Sequence, residues 1–350
     1  MARVVLEPIG EEIDCDEDET VLDAAFRQGF NLVYGCKEGQ CSACKCYLLE
    51  GEVSLKKYST FALSESEEAN GYSLLCRAMP DEDLVIELLH FDPDGYKMDH
   101  ELRDGRAVVE SVEALTHDIT RLVLRVTEPQ DFAFSPGAYV DVHVPGTDGA
   151  ERRSFSLANL PDGSTLELMI KRYDGGRIAG MLESGEIGPG TELGFTGPYG
   201  AFRLRSTDRP ILMVAGGSGM APQLGILRQM ATEGCDRPVR FFYGARTRAD
   251  LFHLDEIAAL GERLPDFAFT AVLSDATPDC AWDGPEGFVH EAVGQAFLDG
   301  GLAADVEAYL CGPPPLVDAA IDLLVDGRGL DAQQVHYDKF TTAVSDRSTT

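Results

Sequence analysis

From Arg106 the chain alternates apolar and polar positions in short runs, AVVESVEAL, ITRLVLRVT and YVDVHV, broken by Gly and Pro. A period of two turns one face of each run toward a core and the other toward water, so strands are expected. Short strands at this spacing predict a small antiparallel β-barrel running to about Arg205. The texture changes at Pro210. ILMVAGG is a continuous apolar, β-branched run and PQLGILRQMAT has helical spacing. VRFFYGA, LDEIAALGERL, FAFTAVLS, EAVGQAFL, AYLCG and LVDAAIDLLVDG continue the alternation of strand and helix. Such alternation predicts an α/β domain with a doubly wound parallel sheet. The first hundred residues end in HFDPDGYKMDHELRDGR, which has little apolar periodicity and reads as a linker from Phe91 to Gly105. The expected domains are therefore 1–95, 102–205 and 206–340, with 341–350 a disordered tail. No stretch approaches the roughly 20 apolar residues of a membrane helix. No signal peptide is visible at the start, so a cytoplasmic location is expected.

The length of 350 residues fits this division, and 44% apolar with 25% charged residues is the balance of a folded chain. Charge narrows the partners. Sixty acids against 29 bases give −31, which argues against nucleic acid and anionic membranes. Residues 1–100 hold 22 acids and 8 bases, net −14, and the other 250 hold 38 and 21, net −17. The first segment is thus about twice as acidic per residue. Nine cysteines, five of them within the first 46 residues, point to metal or redox use in a reducing compartment rather than to a disulfide scaffold.

Cys36, Cys41, Cys44 and Cys76 form C-x4-C-x2-C with a distant fourth member. This is the spacing of plant-type 2Fe–2S ferredoxins, and the small residues of GCKEGQCSACKC let backbone amides point at the sulfurs. Zinc, which usually shows two paired knuckles, and four unrelated buried thiols are the competing readings. Cys46 reads as core filler, and Cys15, Cys235 and Cys280 have no partners at ligand spacing. Two glycine turns add candidate phosphate sites. Gly175-Gly176 stands between a strand and a helix start, where amides suit a pyrophosphate or simply make a tight turn. Gly216-Gly217-Ser218-Gly219-Met220-Ala221-Pro222 directly follows a strand and precedes a helix, a place where backbone can approach a dinucleotide. It is not the G-x-G-x-x-G fingerprint. In YGARTRADLF an Arg suits a 2′-phosphate and an Asp suits free ribose hydroxyls, so Arg246, Arg248 and Asp250 leave NADH and NADPH both open.

Residues 1 to about 95 resemble a plant-type ferredoxin, and the remainder of the chain resembles the ferredoxin–NADP reductase superfamily. Together they resemble the reductase components of multicomponent oxygenases, in the domain order of the soluble di-iron monooxygenases for methane, propane, alkenes and phenol. The resemblance implies an α+β, β-grasp-like ferredoxin fold, an FAD-binding barrel and an NAD-binding α/β domain. It implies that Cys36, Cys41, Cys44 and Cys76 hold a 2Fe–2S cluster. Arg153-Ser154-Phe155-Ser156 matches the family's R-x-Y-[ST], with Arg153 on the FAD pyrophosphate, Phe155 against the ring and Ser156 near its reactive nitrogen. Ile170, Lys171, Gly175, Gly176, Arg177, Ala179 and Phe340 would complete the FAD site, although the family commonly has Ser or Thr where Ala179 stands. GGSGMAP matches the family's G-G-[ST]-G-x-A-P, and Cys311-Gly312-Pro313 matches C-G-P-P with Cys311 beside the nicotinamide. Arg246 and Asp250 lie in a string resembling NADH-using reductases, so NADH is expected. Ser156 and Cys311 would be the catalytic positions. The implied activity is hydride transfer from NADH to FAD and single-electron passage through the cluster to a di-iron hydroxylase. The hydroxylase would dock at the acidic ferredoxin domain of a monomer, with room for a small coupling protein. The reductase of a Rieske-type aromatic-ring dioxygenase, and a non-enzymatic electron carrier or sensor, are the alternatives.

Overall fold

A computed structural model describes residues 1–91, 95–147, 151–276 and 281–341. Cys280 and all but the first residue of the expected tail 341–350 lie outside the described residues. The chain divides into two compact units, Met1–Leu102 and Arg103–Thr350.

The first unit contains β1 (Ala2–Glu7), β2 (Glu11–Cys15), α1 (Val21–Arg27), β3 (Lys45–Glu50), β4 (Val53–Leu55), α2 (Glu65–Ala69), β5 (Tyr72–Leu74), β6 (Ala78–Pro80) and β7 (Leu84–Leu88). Its main sheet has the order β2-β1-β7-β3-β5, and β4 pairs with β6. Only the β1–β7 pairing in that sheet is parallel. Alternate residues Val4 and Leu6 of β1 and Ile13 of β2 are buried, as a period-two strand requires. Helix α1 starts where the Thr20 side chain accepts from the Asp23 amide, and it buries Val21, Leu22, Ala24, Ala25 and Phe26. Part of the expected linker belongs to this unit. The Asn31 amide donates to the Tyr96 carbonyl at 2.7 Å and Met98 donates to Gly29 at 2.8 Å. The loss of apolar periodicity there marks surface chain held by backbone bonds, which hydropathy does not register.

The second unit opens with β8 (Arg103–Ala114), β9 (Ile119–Glu128), β10 (Tyr139–His143), β11 (Arg152–Ser156), β12 (Thr165–Lys171), α3 (Arg177–Ser184) and β13 (Glu192–Tyr199). These strands form one antiparallel sheet of order β11-β10-β13-β8-β9-β12. A bridge between Leu157 and Leu168 joins its two edges into a nearly closed barrel. Val109, Leu122, Leu124, Val140, Val142, Leu166, Leu168 and Phe195 fill it.

The chain then runs through β14 (Ile211–Gly216), α4 (Met220–Glu233), β15 (Val239–Ala245), α5 (Leu254–Gly261), β16 (Phe267–Leu273), α6 (Val289–Leu298), β17 (Glu307–Gly312), α7 (Pro314–Ile321) and β18 (Val335–Lys339). All pairings in the sheet β16-β15-β14-β17-β18 are parallel. Every residue of β14 and β17 is buried, because helices cover both faces. The run LVDAAIDLLVDG, expected as one helix, changes after Ile321 into a π-helical turn over Asp322–Gly327. Strand order reverses between β14 and β17, and their carboxyl ends open the crevice where ligands of such sheets bind.

Candidate redox and nucleotide sites

The four-cysteine segment wraps tightly. Cys36, Cys41, Cys44 and Cys76 fall into two thiol pairs, Cys36 with Cys41 and Cys44 with Cys76. The Cys36 sulfur accepts from the amides of Gln40 at 3.1 Å and Glu38 at 3.4 Å, and the Cys36 amide donates to Cys41 Sγ at 3.2 Å. These donors hold the Cys36 thiol well below its ordinary range, with the Cys41 contact the largest cause. A Cβ on Gly35 would come within 2.8 Å of Cys41 Sγ, so only glycine lets the chain pass the sulfur. Two thiol pairs with amides directed at the Cys36 and Cys41 sulfurs are a donor set suited to an iron–sulfur cluster, and the lone C-x2-C lacks the second knuckle that structural zinc usually takes. Cys46 is fully buried in β3 as core.

In the barrel, Arg153 and Ser154 to Ser156 lie on β11, with Ser156 buried and Phe155 packed against the core. Arg153 and Arg177 both bond to Glu151, so two guanidinium groups from different elements gather at one carboxylate. Beside them an open cleft of about 830 Å³ is lined by Gly175, Gly176 and Arg177 together with Pro145, Gly146 and Arg172. No side chain caps α3, whose cap residue is Gly176. Free amides and paired arginines around one cleft fit a pyrophosphate. Ala179 and Ile170 are buried in the barrel core, where they pack.

At the crevice, a second cavity of about 570 Å³ is bounded by Gly216, Gly217, Ser218, Arg246, Asp250 and Pro313 from the α/β sheet, by Asp118, Ile119 and Lys171 from the barrel, and by Phe340. Met220, Ala221 and Pro222 are buried in the first turn of α4 and serve packing. A Cβ on Gly219 would lie 2.3 Å from the Cys311 carbonyl oxygen, so the glycine turn and the end of β17 need each other. Cys311 itself is fully buried, and burial pushes its thiol well above the ordinary range. Neither Cys311 nor Ser156 lines the cavity. Phe340 is tied in by its amide, which donates to the Gly312 carbonyl at 2.8 Å.

Comparison with protein families matches residues 4–81 to the 2Fe-2S iron-sulfur cluster binding domain, 106–204 to the oxidoreductase FAD-binding domain and 213–322 to the oxidoreductase NAD-binding domain. The propane 2-monooxygenase reductase component of Mycolicibacterium goodii is 45% identical, with 99% of each chain covered. The chain belongs to the reductase components of multicomponent oxygenases. The phenol 2-monooxygenase reductase component of Pseudomonas sp. strain CF600 is 37% identical, over 97% of this reductase and 95% of its own length. The crystal structure of the Amycolatopsis cytochrome P-450 reductase GcoB superposes with TM-score 0.83 at 33% identity, covering 98% and 99% of the two chains.

Several residues of the reductase's site have no motif. Tyr243 donates its hydroxyl to the Gly217 carbonyl at 3.0 Å and supports the glycine turn from below. Gln223 bonds to backbone carbonyls of both central strands. Asp338 is paired across the sheet with Cys311, and burial pushes its carboxyl up to about 6. Glu151 and Asp118 hold the arginines. Each acts through a partner distant in sequence, so no local pattern announces it. Among the described residues no helix is long and apolar enough to cross a membrane.

Proposed function

We propose that this chain is the NADH-dependent reductase of a soluble di-iron monooxygenase, working in the cytoplasm as a monomer. The observation that carries it is the cavity at the sheet's switch point, where Gly216–Ser218 and Pro313 meet Lys171 of the barrel and Phe340. A nicotinamide bound there reaches the flavin barrel directly. When bound, NADH would supply a hydride, FAD a two-electron acceptor able to give its electrons up singly, and the 2Fe–2S cluster a one-electron carrier. The chain's own residues bind and orient. Arg153, Arg177 and the Gly175–Gly176 amides would hold the FAD pyrophosphate, with Ser156 and Phe155 at the ring. The Gly217–Gly219 turn and Lys171 would hold the dinucleotide phosphates, while Arg246 and Asp250 face its ribose. Cys36, Cys41, Cys44 and Cys76 would ligate the irons. Near full-length similarity to a propane monooxygenase reductase favours the di-iron partner over a Rieske dioxygenase.

The docking face is proposed on the acidic first unit. The Tyr58 hydroxyl donates to Glu68 of α2 at 2.5 Å, and Tyr58 abuts Gly39 of the cysteine loop, so the exposed acids of α2 stand beside the cluster ligands. A basic surface on the hydroxylase, or on a small coupling protein, suits that face. The test is anaerobic stopped-flow reduction of the purified holoprotein by NADH and by NADPH, followed by transfer to purified oxygenases at rising salt. NADH should reduce flavin and then cluster, and transfer to a di-iron hydroxylase should weaken as salt screens the acidic face. NADPH preference, transfer only to a Rieske oxygenase, or salt-independent transfer would each overturn the corresponding part.

A further inference from the structure

We propose that Asp118, a residue of the flavin barrel, sets the nucleotide site's preference for a ribose with a free 2′-hydroxyl. The inference rests on NADH being the donor, and it adds a determinant outside the nucleotide-binding sheet.

Arg246 stands just past β15, where a guanidinium could grip a 2′-phosphate. It is not free to do so. Its Nη2 lies 3.0 Å from Asp118 Oδ2 and 3.8 Å from Asp250 Oδ1. The two acids are committed differently. Asp250 Oδ2 accepts from the Thr247 amide at 2.8 Å and the Thr247 hydroxyl at 2.9 Å, so it chiefly orders its own turn. Asp118 is anchored from the barrel. Its Oδ1 accepts from the Thr116 hydroxyl at 3.0 Å, its carbonyl accepts from the Arg172 amide at 2.7 Å, and Lys171 Nζ sits 2.6 Å from Oδ2. His117 completes the group, 3.4 Å from Asp250 and 3.7 Å from Asp118.

Asp118, Lys171, Arg246 and Asp250 all line the cavity, two acids against two bases. The charges of these four balance. A dianionic 2′-phosphate would therefore meet an arginine already bonded to a carboxylate and would itself face both acids. A ribose hydroxyl can donate to a carboxylate and leaves the arrangement intact. Asp118 is only 11% exposed, so water screens this repulsion weakly. Removing its charge would release Arg246 and leave the group net positive. Lys171 would be released as well, but it lies over Gly217 and would favour NADH and NADPH alike. The ratio of the two nucleotides isolates the effect at the ribose.

The experiment measures kcat/KM for NADPH relative to NADH, on holoprotein, for the wild type, Asp118→Asn, Arg246→Ala and the double variant. Asp118→Asn should raise the ratio about tenfold, the scale of one hydrogen bond to a charged group. Arg246→Ala should abolish that rise in the double variant, and should move the wild-type ratio by no more than about twofold, since Arg246 is already neutralised there. Asp118→Ser is the substitute should the Asn variant not fold. A role confined to holding barrel and sheet together would lower both nucleotides equally and leave the ratio where it was, overturning the inference. A large fall in the ratio on Arg246→Ala alone would overturn it too. A wild type that prefers NADPH refutes the NADH reading instead, which separates the two failures.

Discussion

A Cβ added to Gly219 would meet the Cys311 carbonyl oxygen at 2.3 Å and its carbon at 2.6 Å, both backbone atoms that cannot rotate away. The turn after β14 and the end of β17 are therefore fitted to each other at one position that only glycine can fill. Gly219→Ala must part the two strand ends, at a cost of about 1–3 kcal/mol for an overpacked site. The same shift opens the turn that lines the cavity. NADH-driven reduction should fall more than tenfold while the visible spectrum of the cluster is kept, because the cysteines lie in the separate unit Met1–Leu102. A variant with full reductase activity, or one that loses the cluster spectrum, contradicts this account. Met220, Ala221 and Pro222 behave differently. Those residues share the motif but are buried in α4, so the motif records packing as much as binding.

Among the elements, β14 and β17 carry the most. They run parallel from Ile211↔Glu307 to Ala215↔Cys311, and beyond that point their loops diverge to make the crevice. Gln223, fully buried in α4, holds them level by donating to the Tyr309 carbonyl at 2.7 Å and the Val214 carbonyl at 3.3 Å. Gln223→Leu keeps the volume and loses both bonds, so thermal or urea unfolding of the second unit should show a loss of about 1–2 kcal/mol. An unchanged midpoint would mean that the sheet ladder alone fixes the strands. This bond also shows where the sequence is legible. β14 is readable because a strand covered on both faces is apolar at every position, and the cysteine loop is readable because three of its four cysteines crowd within nine residues. Gln223 and Tyr309 are 86 residues apart, and Asp118 and Arg246 are 128 apart. Pairings over such separations are set by how helix, sheet and barrel pack together, which no local period encodes. Within the expected Phe91–Gly105 linker, Tyr96 and Met98 are tied to Asn31 and Gly29 by backbone bonds, which leave no hydropathy signal.

At the scale of the molecule, the barrel and the α/β sheet must stay in register for one cavity to serve both, and a buried carboxylate joins them. Glu167 on β12 is 5% exposed. Its Oε1 lies 2.8 Å from Arg121 Nε of the neighbouring barrel strand, and its Oε2 lies 2.9 Å from Arg228 Nη1 of α4. Arg228 also donates to the Ala158 carbonyl at 2.8 Å and reaches Glu256 of α5 at 2.6 Å. Burial opposes the charge on Glu167, but the two arginines more than offset it and hold its pKa below the usual 4.5. A carboxylate with a depressed folded pKa stabilises the fold above its unfolded pKa, and that contribution is lost as pH falls through the folded value. Glu167→Gln leaves both arginines facing a neutral amide. Near pH 7 it should cost about 2–3 kcal/mol, less than a wholly buried pair because Arg121 is 30% exposed. The gap between wild type and variant should narrow once pH drops below about 4.5, as the unfolded chain takes up the proton first and the folded carboxyl follows at its lower pKa. Arg228→Met in the Glu167→Gln background should add less than it does alone, because the two sites share one interaction. Urea unfolding across pH 7 to 4, with both single variants and the double, measures all three. A gap that stays constant with pH, or single effects that simply add, would show that packing between α4 and the barrel, rather than this ion pair, keeps the two halves of the cavity aligned.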